Sequence, residues 1–196
     1  ESLITLDSII ERIPDIRLIL SPIAPGFKAT DLKLREGVAR KLEHALQTLP
    51  EGIYLKILEA YRPLSIQRQY FSEVEADIRE HEGLSGRALW ERVTQFVADP
   101  ELCPPHTTGG AIDCVLVNTM GAELDMGSPM NDVSDLSNTF ANGLSYEAQK
   151  NRMLLYEILT QSGFVNLPTE WWHYSFGDQY WAAYTGVRAA GYGSVD

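Results

Sequence analysis

The chain has 196 residues, of which 44% are hydrophobic and 22% charged, values that are ordinary for one globular domain. They exclude a disordered, collagen-like or coiled-coil protein. The chain has 16 basic and 27 acidic residues, which gives a net charge of -11. An acidic surface repels both nucleic acids and anionic membranes. We therefore expect residues 1–196 to form a single domain with no nucleic-acid or membrane partner.

The sequence also carries signals about its compartment. No apolar run approaches the ~18 residues that a spanning helix needs. Residues 1–4 show neither a basic stretch nor a small-residue cleavage site, so no signal peptide is predicted. Cys103 and Cys114 are too few for a disulfide scaffold, which favours free thiols and a reducing compartment. We expect a cytoplasmic protein, with the periplasm as the alternative because the first residue is not Met.

In the first half of the chain, helical patterns surround one strand. Apolar residues recur on one helical face over residues 31–49, and residues 53–58 alternate as in a strand. Ser65 is placed to cap a second helix, and a third is predicted around residues 89–97.

The middle of the chain changes character. Residues 103–110 have the composition of a loop, and residues 111–117 form an almost continuous apolar run that is typical of a buried strand. Residues 118–121 are predicted to turn into a further strand over residues 122–126.

A long irregular segment, residues 127–143, precedes a helix that Ser145 caps and Gly163 closes. Residues 164–176 are aromatic and favour strands. Helices combined with antiparallel hairpins, without a repeating strand–helix–strand rhythm, predict the α+β class.

Asp113 lies inside the apolar run, where an isolated carboxylate is costly unless it is paired or bound to a metal. An arginine or backbone partner is one interpretation. The other uses His106 on the preceding loop and His173 among aromatic residues, since two imidazoles and one carboxylate form a catalytic zinc set with an open fourth position. Glu170 is then the natural general base, provided that it lies on a turn, since in a regular strand it would face away from His173.

Three other charged or titratable residues lie outside this set. Arg62 precedes Pro63 at a strand end, which suits a fixed cation aimed into a cleft, although a surface ion pair is the alternative. His44 and His81 are predicted to be plain surface residues.

These residues resemble the zinc D-alanyl-D-alanine dipeptidases of the VanX type, within the wider group of D-Ala-D-Ala peptidases. The signature of that group is Ser-x-His-x-x-Gly-x-Ala-x-Asp, followed at a distance by Glu-x-x-His. Residues 104–113 match it at His, Gly, Ala and Asp, and residues 170–173 supply the second part. Three further motifs, at residues 15–17, 60–63 and 125–128, are similar to the dipeptidase branch.

The resemblance implies a role for each matching residue. His106, Asp113 and His173 would be the ligands of one zinc ion per chain, carried on a small central antiparallel sheet flanked by helices. Glu170 would be the base that activates the attacking water, and Arg62 would stabilise the oxyanion. The implied substrate is a small D,D-dipeptide from cell-wall precursors or fragments.

Two departures from the family pattern concern substrate recognition. The serine two places before the first ligand is Pro104 here. Where the family has an aspartate for the substrate ammonium, this chain has Asn131, followed by Asp132, so both are candidate substrate-binding residues together with Trp172. The alternatives to a dipeptidase are a D,D- or L,D-carboxypeptidase or an endopeptidase of wall stem peptides on the same scaffold, and a non-enzymatic zinc- or peptide-binding module.

Overall fold

The computed structural model describes residues 1–13 and 15–195, which form two sheets and six α-helices. The strands are β1 Leu3–Thr5, β2 Leu18–Leu20, β3 Lys33–Arg35, β4 Ile53–Glu59, β5 Ala111–Asn118, β6 Val165–Asn166 and β7 His173–Ser175. The helices are α1 Asp7–Arg12, α2 Glu36–Thr48, α3 Leu64–Glu82, α4 Gly86–Val93, α5 Tyr146–Gln161 and α6 Gln179–Thr185. These elements confirm the predicted α+β class.

The larger sheet has the order β2-β4-β5-β7-β6. Strand β2 runs parallel to β4, and the other neighbours are antiparallel. Strand β5 lies at the centre, and its residues 111–117 are all buried. Such a strand needs apolar side chains on both of its faces, which explains the continuous apolar run in the sequence.

The main core lies between this sheet and the helices α2 and α5. Leu42 of α2, Leu116 of β5 and Leu155 of α5 are all fully buried in it. A smaller cluster of Ile78, Leu89 and Val93 joins α3 to α4. Among the described residues, no helix is both long enough and apolar enough to cross a membrane.

Several predicted elements are confirmed with shifted ends. The first long helix begins at Glu36 instead of residue 31, because Lys33–Arg35 pair with Leu3–Thr5 as strand β3. The prediction that Ser65 caps the second helix is wrong, since α3 begins at Leu64 with Pro63 at its N-cap and Ser65 lies inside it, and α4 ends at Val93. The start of α2 is set by a strand pairing between distant segments, which a local pattern does not contain.

The predicted strand over residues 122–126 is wrong. The segment forms a single bridge, between Glu123 and Val117. Beyond it, Gly127 N donates to the Asp125 carboxylate at 2.9 Å, and Met126 O accepts a hydrogen bond from Arg152 Nε at 2.6 Å. Leu124 N still donates to Leu116 O at 2.9 Å, but from Asp125 on the backbone is engaged by side chains and the ladder does not continue.

Residues 127–143 are irregular as predicted, apart from one 3-10 turn at Asp135–Ser137. Ser145 caps α5 as expected, since its hydroxyl accepts a hydrogen bond from Ala148 N at 3.0 Å. A hairpin of β6 and β7 follows, and residues 167–172 connect its two strands.

Candidate active site

Three elements bring His106, Asp113 and His173 together. Asp113 on β5 is paired in register with His173 on β7, and His106 belongs to the 3-10 turn Pro105–Thr108 that leads into β5. Asp113 Oδ1 lies 3.0 Å from His173 Nδ1 and 3.3 Å from His106 Nε2. The facing nitrogens of the two imidazoles are 3.2 Å apart. The three side chains therefore converge on one point.

The turn that carries His106 depends on Gly109. This glycine has φ +72°, and a Cβ there would collide with the side chain of Leu3. Its carbonyl accepts a hydrogen bond from Arg35 N at 2.9 Å, and Arg62 N donates to His106 O at 3.1 Å. The glycine of the sequence motif thus allows the backbone approach that holds His106 against the sheet.

The second ring nitrogen of each histidine has its own partner. His106 Nδ1 lies 2.8 Å from Ala60 O, and His173 Nε2 lies 3.2 Å from Ser175 Oγ. Such outer contacts fix the ring orientation and leave one nitrogen of each ring facing the carboxylate of Asp113. The three ligand atoms lie within 4.8 Å of one another. Two imidazole nitrogens and one carboxylate oxygen are a donor set that suits a catalytic zinc ion, so these residues fit the metal that the sequence predicts.

The two thiols lie outside this set. Cys114 Sγ is 3.8 Å from Trp172 O, and Cys103 Sγ is 3.2 Å from Ser194 Oγ. Both cysteines are free, as the sequence predicts.

The three side chains are 4 to 7% exposed, so their charges interact strongly. Burial raises the pKa of Asp113, but the two imidazoles outweigh it and hold this pKa well below its usual range. Burial lowers the pKa of His106, but the Asp113 carboxylate reverses the shift and raises it to about 9. Among the described residues the side-chain partners of Asp113 are these two histidines. The alternative of an arginine partner for Asp113 is therefore wrong.

Glu170 lies on the turn between β6 and β7, which the argument for a general base requires. Its N–H donates to Leu167 O at 2.9 Å, and its carbonyl accepts hydrogen bonds from His173 N at 3.2 Å and from Asn166 Nδ2 at 3.0 Å. Burial raises the pKa of its carboxyl group. A carboxylate with a raised pKa is a stronger base than an exposed one.

Arg62 is fixed and mostly buried. Its Nε and Nη2 donate to the two carboxylate oxygens of Glu59, both at 2.6 Å, and its Nη1 donates to Gln67 Oε1 at 2.6 Å. The guanidinium also lies over the ring of Tyr70, at 5.1 Å from its centre. The side chains of Arg62 and Glu59 are 16% and 13% exposed, so this is not the surface ion pair considered as the alternative.

Sequence reasoning missed Glu59 and Gln67 as partners of Arg62. Gln67 is fully buried, and its Nε2 donates to Ala98 O at 2.7 Å. The available signal was an acidic residue at a strand end, three positions before the arginine. The two remaining histidines, His44 and His81, are exposed as predicted.

A cavity of about 450 Å³ brings the remaining candidates together. Glu170 and Trp172 line it beside Asn131 and Asp132 of the irregular segment. Residues from the end of α4 form another part of the wall, namely Arg92, Gln95 and Phe96. Every substrate-binding candidate from the sequence thus borders the same space as the candidate base.

The local structure of the irregular segment orients two of these residues. Asn131 has φ +63°, a left-handed conformation that asparagine tolerates better than most residues. The Asp132 carboxylate accepts hydrogen bonds from Ser134 Oγ at 2.7 Å and from Ser134 N at 3.0 Å. These bonds lower the pKa of Asp132, which is exposed to solvent and stays negatively charged.

Two histidines and a carboxylate that suit a metal, with a half-buried glutamate close enough to interact with all three, are the donor set and the base that a metallopeptidase requires. The sequence comparisons agree with this class. Residues 33–188 match the profile of peptidase family M15, described as D-Ala-D-Ala dipeptidase. The chain belongs to this family, and the resemblance found in its motifs is confirmed.

Three relatives with the name D-alanyl-D-alanine dipeptidase illustrate the match. The protein of Synechocystis sp. is 33% identical over 76% of this chain and 71% of its own length. The protein of Enterococcus faecium is 39% identical over 66% of this chain and 65% of its own length. The Escherichia coli protein is 32% identical over 63% of this chain and 55% of its own length, so just over half of that relative is aligned.

Two solved structures are similar at lower identity. An alanine variant of the vancomycin-resistance D,D-pentapeptidase VanY, in complex with Zn(II), has a TM-score of 0.45 and 17% identity over 84% of this chain and 82% of its own. The LD-carboxypeptidase LdcB has a TM-score of 0.49 and 16% identity over 96% of this chain and 74% of its own. The family assignment therefore rests on the sequence matches.

Proposed function

We propose that this chain hydrolyses D-Ala-D-Ala, or a related dipeptide from cell-wall precursors or fragments, to free amino acids, with one zinc ion per chain. The observation that carries the proposal is the convergence of His106, Asp113 and His173 within 4.8 Å of one another. Glu170 and Trp172 border the adjoining cavity. The names of the matched relatives support the choice of substrate.

Zinc held by these three residues would polarise the scissile carbonyl and lower the pKa of a water molecule. Glu170 takes the proton of the attacking water, since its raised pKa keeps its carboxylate basic. The same group then delivers that proton to the amine that leaves when the peptide bond breaks. One side chain thereby serves both proton transfers.

Arg62 stabilises the negative charge that develops on the carbonyl oxygen. A donor that is held rigid before the reaction contributes more than one that must reorganise, and Arg62 is held by Glu59 and Gln67. Its main-chain N–H bonds to His106 O at 3.1 Å, so the cation and the first ligand are joined directly.

The amino end of the dipeptide is assigned to the loop wall of the cavity. Asp132 is the preferred candidate for the ammonium group because its carboxylate is charged and lines the cavity. Asn131 can accept a hydrogen bond but supplies no charge. Trp172, buried beside Glu170, supplies an apolar surface that excludes water.

A mass-spectrometric assay tests the proposal. The zinc-loaded protein is incubated with D-Ala-D-Ala, with L-Ala-D-Ala and with a wall pentapeptide, and Glu170→Ala serves as the matched control. We expect free alanine from D-Ala-D-Ala and no product from the control. Release of the terminal residue from the pentapeptide alone would indicate a carboxypeptidase instead, internal cleavage an endopeptidase, and no product from any peptide a binding module.

A further inference from the structure

Arg152 on α5 is a buried cation that the proposed chemistry does not use. It is 2% exposed. Its Nε donates to Met126 O at 2.6 Å, and its Nη1 donates to Asn138 O at 2.6 Å. Its Nη2 donates to Leu136 O at 2.8 Å and to Ser128 Oγ at 3.2 Å. One guanidinium thus engages four acceptors on a single stretch of chain.

All four acceptors are neutral, and the described residues include no carboxylate in hydrogen-bond contact with this guanidinium. Burial accordingly lowers the pKa of Arg152. The ring of Trp171 adds a cation–π contact, at 5.6 Å from its centre. The Asp125 and Asp132 carboxylates attract this charge without a hydrogen bond to it. The hydrogen bonds to neutral acceptors offset much of the remaining cost of burying the charge.

The acceptors lie at the two ends of one loop. Met126 and Ser128 lie at its beginning, and Leu136 and Asn138 lie at its end. Arg152 therefore closes residues 126–138 into a compact loop. Within this loop lie Asn131 and Asp132, which line the cavity. The position of that cavity wall therefore depends on a residue that does not itself line this cavity.

The loop has few other ties to the helix. Its other side-chain hydrogen bonds are mostly internal, such as those of Asp132 with Ser134. The bond from Asn151 Nδ2 holds Asp125 O, which precedes the loop. Without Arg152, the residues between its two ends would keep their internal turns but lose their fixed place against α5.

The turn that carries Glu170 has main-chain anchors of its own on the β6 side. It is held by the hydrogen bonds of Glu170 with Leu167 and with Asn166 on β6. Thr139 N also donates to Pro168 O at 2.9 Å, beyond the closed loop. The neighbouring Trp171 does contact the loop, since its N donates to Ser137 O at 3.0 Å and its Nε1 donates to Ser128 Oγ at 3.1 Å. Displacement of the loop would remove these two bonds but keep the main-chain bonds of Glu170 and the positions of the three ligands.

We propose that Arg152 is a positioning residue for substrate binding, which holds the loop of residues 126–138 as the wall that receives the amino end of the dipeptide. The inference rests on the proposed function. Arg152 acts mainly on affinity, because the loop binds the substrate, whereas the three ligands and the main-chain anchors of Glu170 lie outside the loop.

Steady-state kinetics separate an effect on KM from an effect on kcat. If the loop of Arg152→Met is correctly placed about a tenth of the time, the apparent affinity falls about tenfold. We expect KM to rise about tenfold or more, with kcat within about threefold of the wild type. Arg152→Lys should recover part of the loss, since one ammonium group does not reach all four acceptors. Free guanidinium ion should partly restore the KM of Arg152→Ala.

Arg17→Met is the matched control. Arg17 also donates to two backbone carbonyls, Pro50 O and Leu46 O, but at a site away from the cleft. This variant should lose thermal stability without a change in KM. An equal rise of KM in both variants would mean that Arg152 supports the fold only, and would overturn the proposal.

Hydrogen exchange provides a readout that needs no substrate. In the zinc-loaded Arg152→Met protein, or in Arg152→Lys if the former does not fold, amides of residues 126–138 should exchange faster, while those of β5 stay protected. Unchanged exchange in the loop would refute the role of Arg152. A different result is that the wild-type protein fails to cleave the dipeptide while Arg152→Met still exchanges faster in residues 126–138. That result would refute the proposed function but leave the role of Arg152 in holding the loop intact.

Discussion

Glu59 lies directly opposite Asp113 across strands β4 and β5, immediately after a bulge that shifts their register beyond Ile57. Glu59 holds the guanidinium of Arg62, and Asp113 is the candidate metal ligand. One pair of neighbouring strands therefore sets the spacing between the cation and the metal site. A bulge at this point redirects the end of β4, and Arg62 beyond it lies close enough to interact with Asp113 of the candidate metal site.

The first prediction concerns Arg62. Arg62→Ala should lower kcat on the order of 10²–10³-fold, since it removes one preorganised donor to the oxyanion, while KM changes little. Arg62→Lys should restore only part of the rate, because a single ammonium group does not reproduce the planar guanidinium. Turnover, melting temperature and zinc content are measured on the same samples.

Arg68→Ala is the control for Arg62. Arg68 lies on α3 and forms an exposed ion pair with Glu101 at 3.2 Å. Such pairs contribute about 0–1 kcal/mol, so this variant should keep full activity. If Arg62→Ala behaved like Arg68→Ala in turnover, Arg62 would have no part in catalysis.

The second prediction concerns Glu170. Glu170→Gln keeps the size of the side chain but removes its basicity, and kcat should fall by ~10²–10⁴-fold. Zinc content should stay the same, because Glu170 is not among the three converging ligands. Metal analysis together with single-turnover rates checks both statements. A variant that retains more than about a tenth of the activity would exclude Glu170 as the base.

The third prediction concerns the metal. Elemental analysis should find one zinc ion per chain, and His106→Ala or His173→Ala should lose it. The double variant Cys103→Ser, Cys114→Ala should bind zinc as the wild type does, since both thiols lie outside the converging set. Loss of zinc from the cysteine variant, or retention in both histidine variants, would contradict the proposed ligands.

The fourth prediction concerns protons released on metal binding. The pKa of His106 lies above its ordinary value, at about 9, so without metal the ring is protonated at pH 7. A histidine that binds a metal must be deprotonated, so zinc must displace this proton, and zinc affinity should fall as the pH is lowered. Calorimetric titration of the metal-free protein in two buffers of different ionisation enthalpy measures the number of protons released per zinc ion, which we expect to be about one. A count of zero would show that the ring is neutral before binding.

The fifth prediction concerns the substrate ammonium. Asp132→Asn removes the charge, while its Oδ1 can still accept from Ser134 N and its Nδ2 can donate to Ser134 Oγ. KM for D-Ala-D-Ala should rise about tenfold, which corresponds to about 1.4 kcal/mol. Asn131→Asp adds a second carboxylate to the same wall and should lower KM. Binding of an N-acetylated dipeptide, which has no ammonium group, should not respond to either change. An equal effect on the acetylated ligand would assign Asp132 to the shape of the loop instead.

The convergence of His106, Asp113 and His173 was predictable because each of these residues stands out from its local sequence. Asp113 is conspicuous as a charge within an apolar strand, and His106 precedes it on a loop framed by proline and glycine. The placement of Glu170 on a turn also followed, since a regular strand would have pointed it away from His173. Residues that are unusual for their local sequence environment can be recognised as site candidates from the sequence alone.

The supports of the site were not predictable in the same way. Nothing in the local sequence marks Glu59 and Gln67 as partners of Arg62, since β4 and α3 bring them together only in the folded chain. Arg152 likewise has no neighbouring residue that indicates its bonds to Met126 and Asn138, which lie 26 and 14 positions earlier. The parallel pairing of β2 with β4 likewise joins Leu18 to Leu55. These contacts arise from tertiary packing, which a window of ten residues does not contain.

The short ladder between β5 and β7 has a consequence for the folded chain as a whole. It contains only the three pairs from Ala111–Ser175 to Asp113–His173. Asp113 and His173 are separated by 60 positions, so an ion shared by them would cross-link the ends of a long segment that includes α5. Such a cross-link removes loop entropy from the unfolded chain, and its strength grows with the concentration of free ion. Zinc supply would then govern how long the protein survives proteolysis, in addition to whether it turns over substrate.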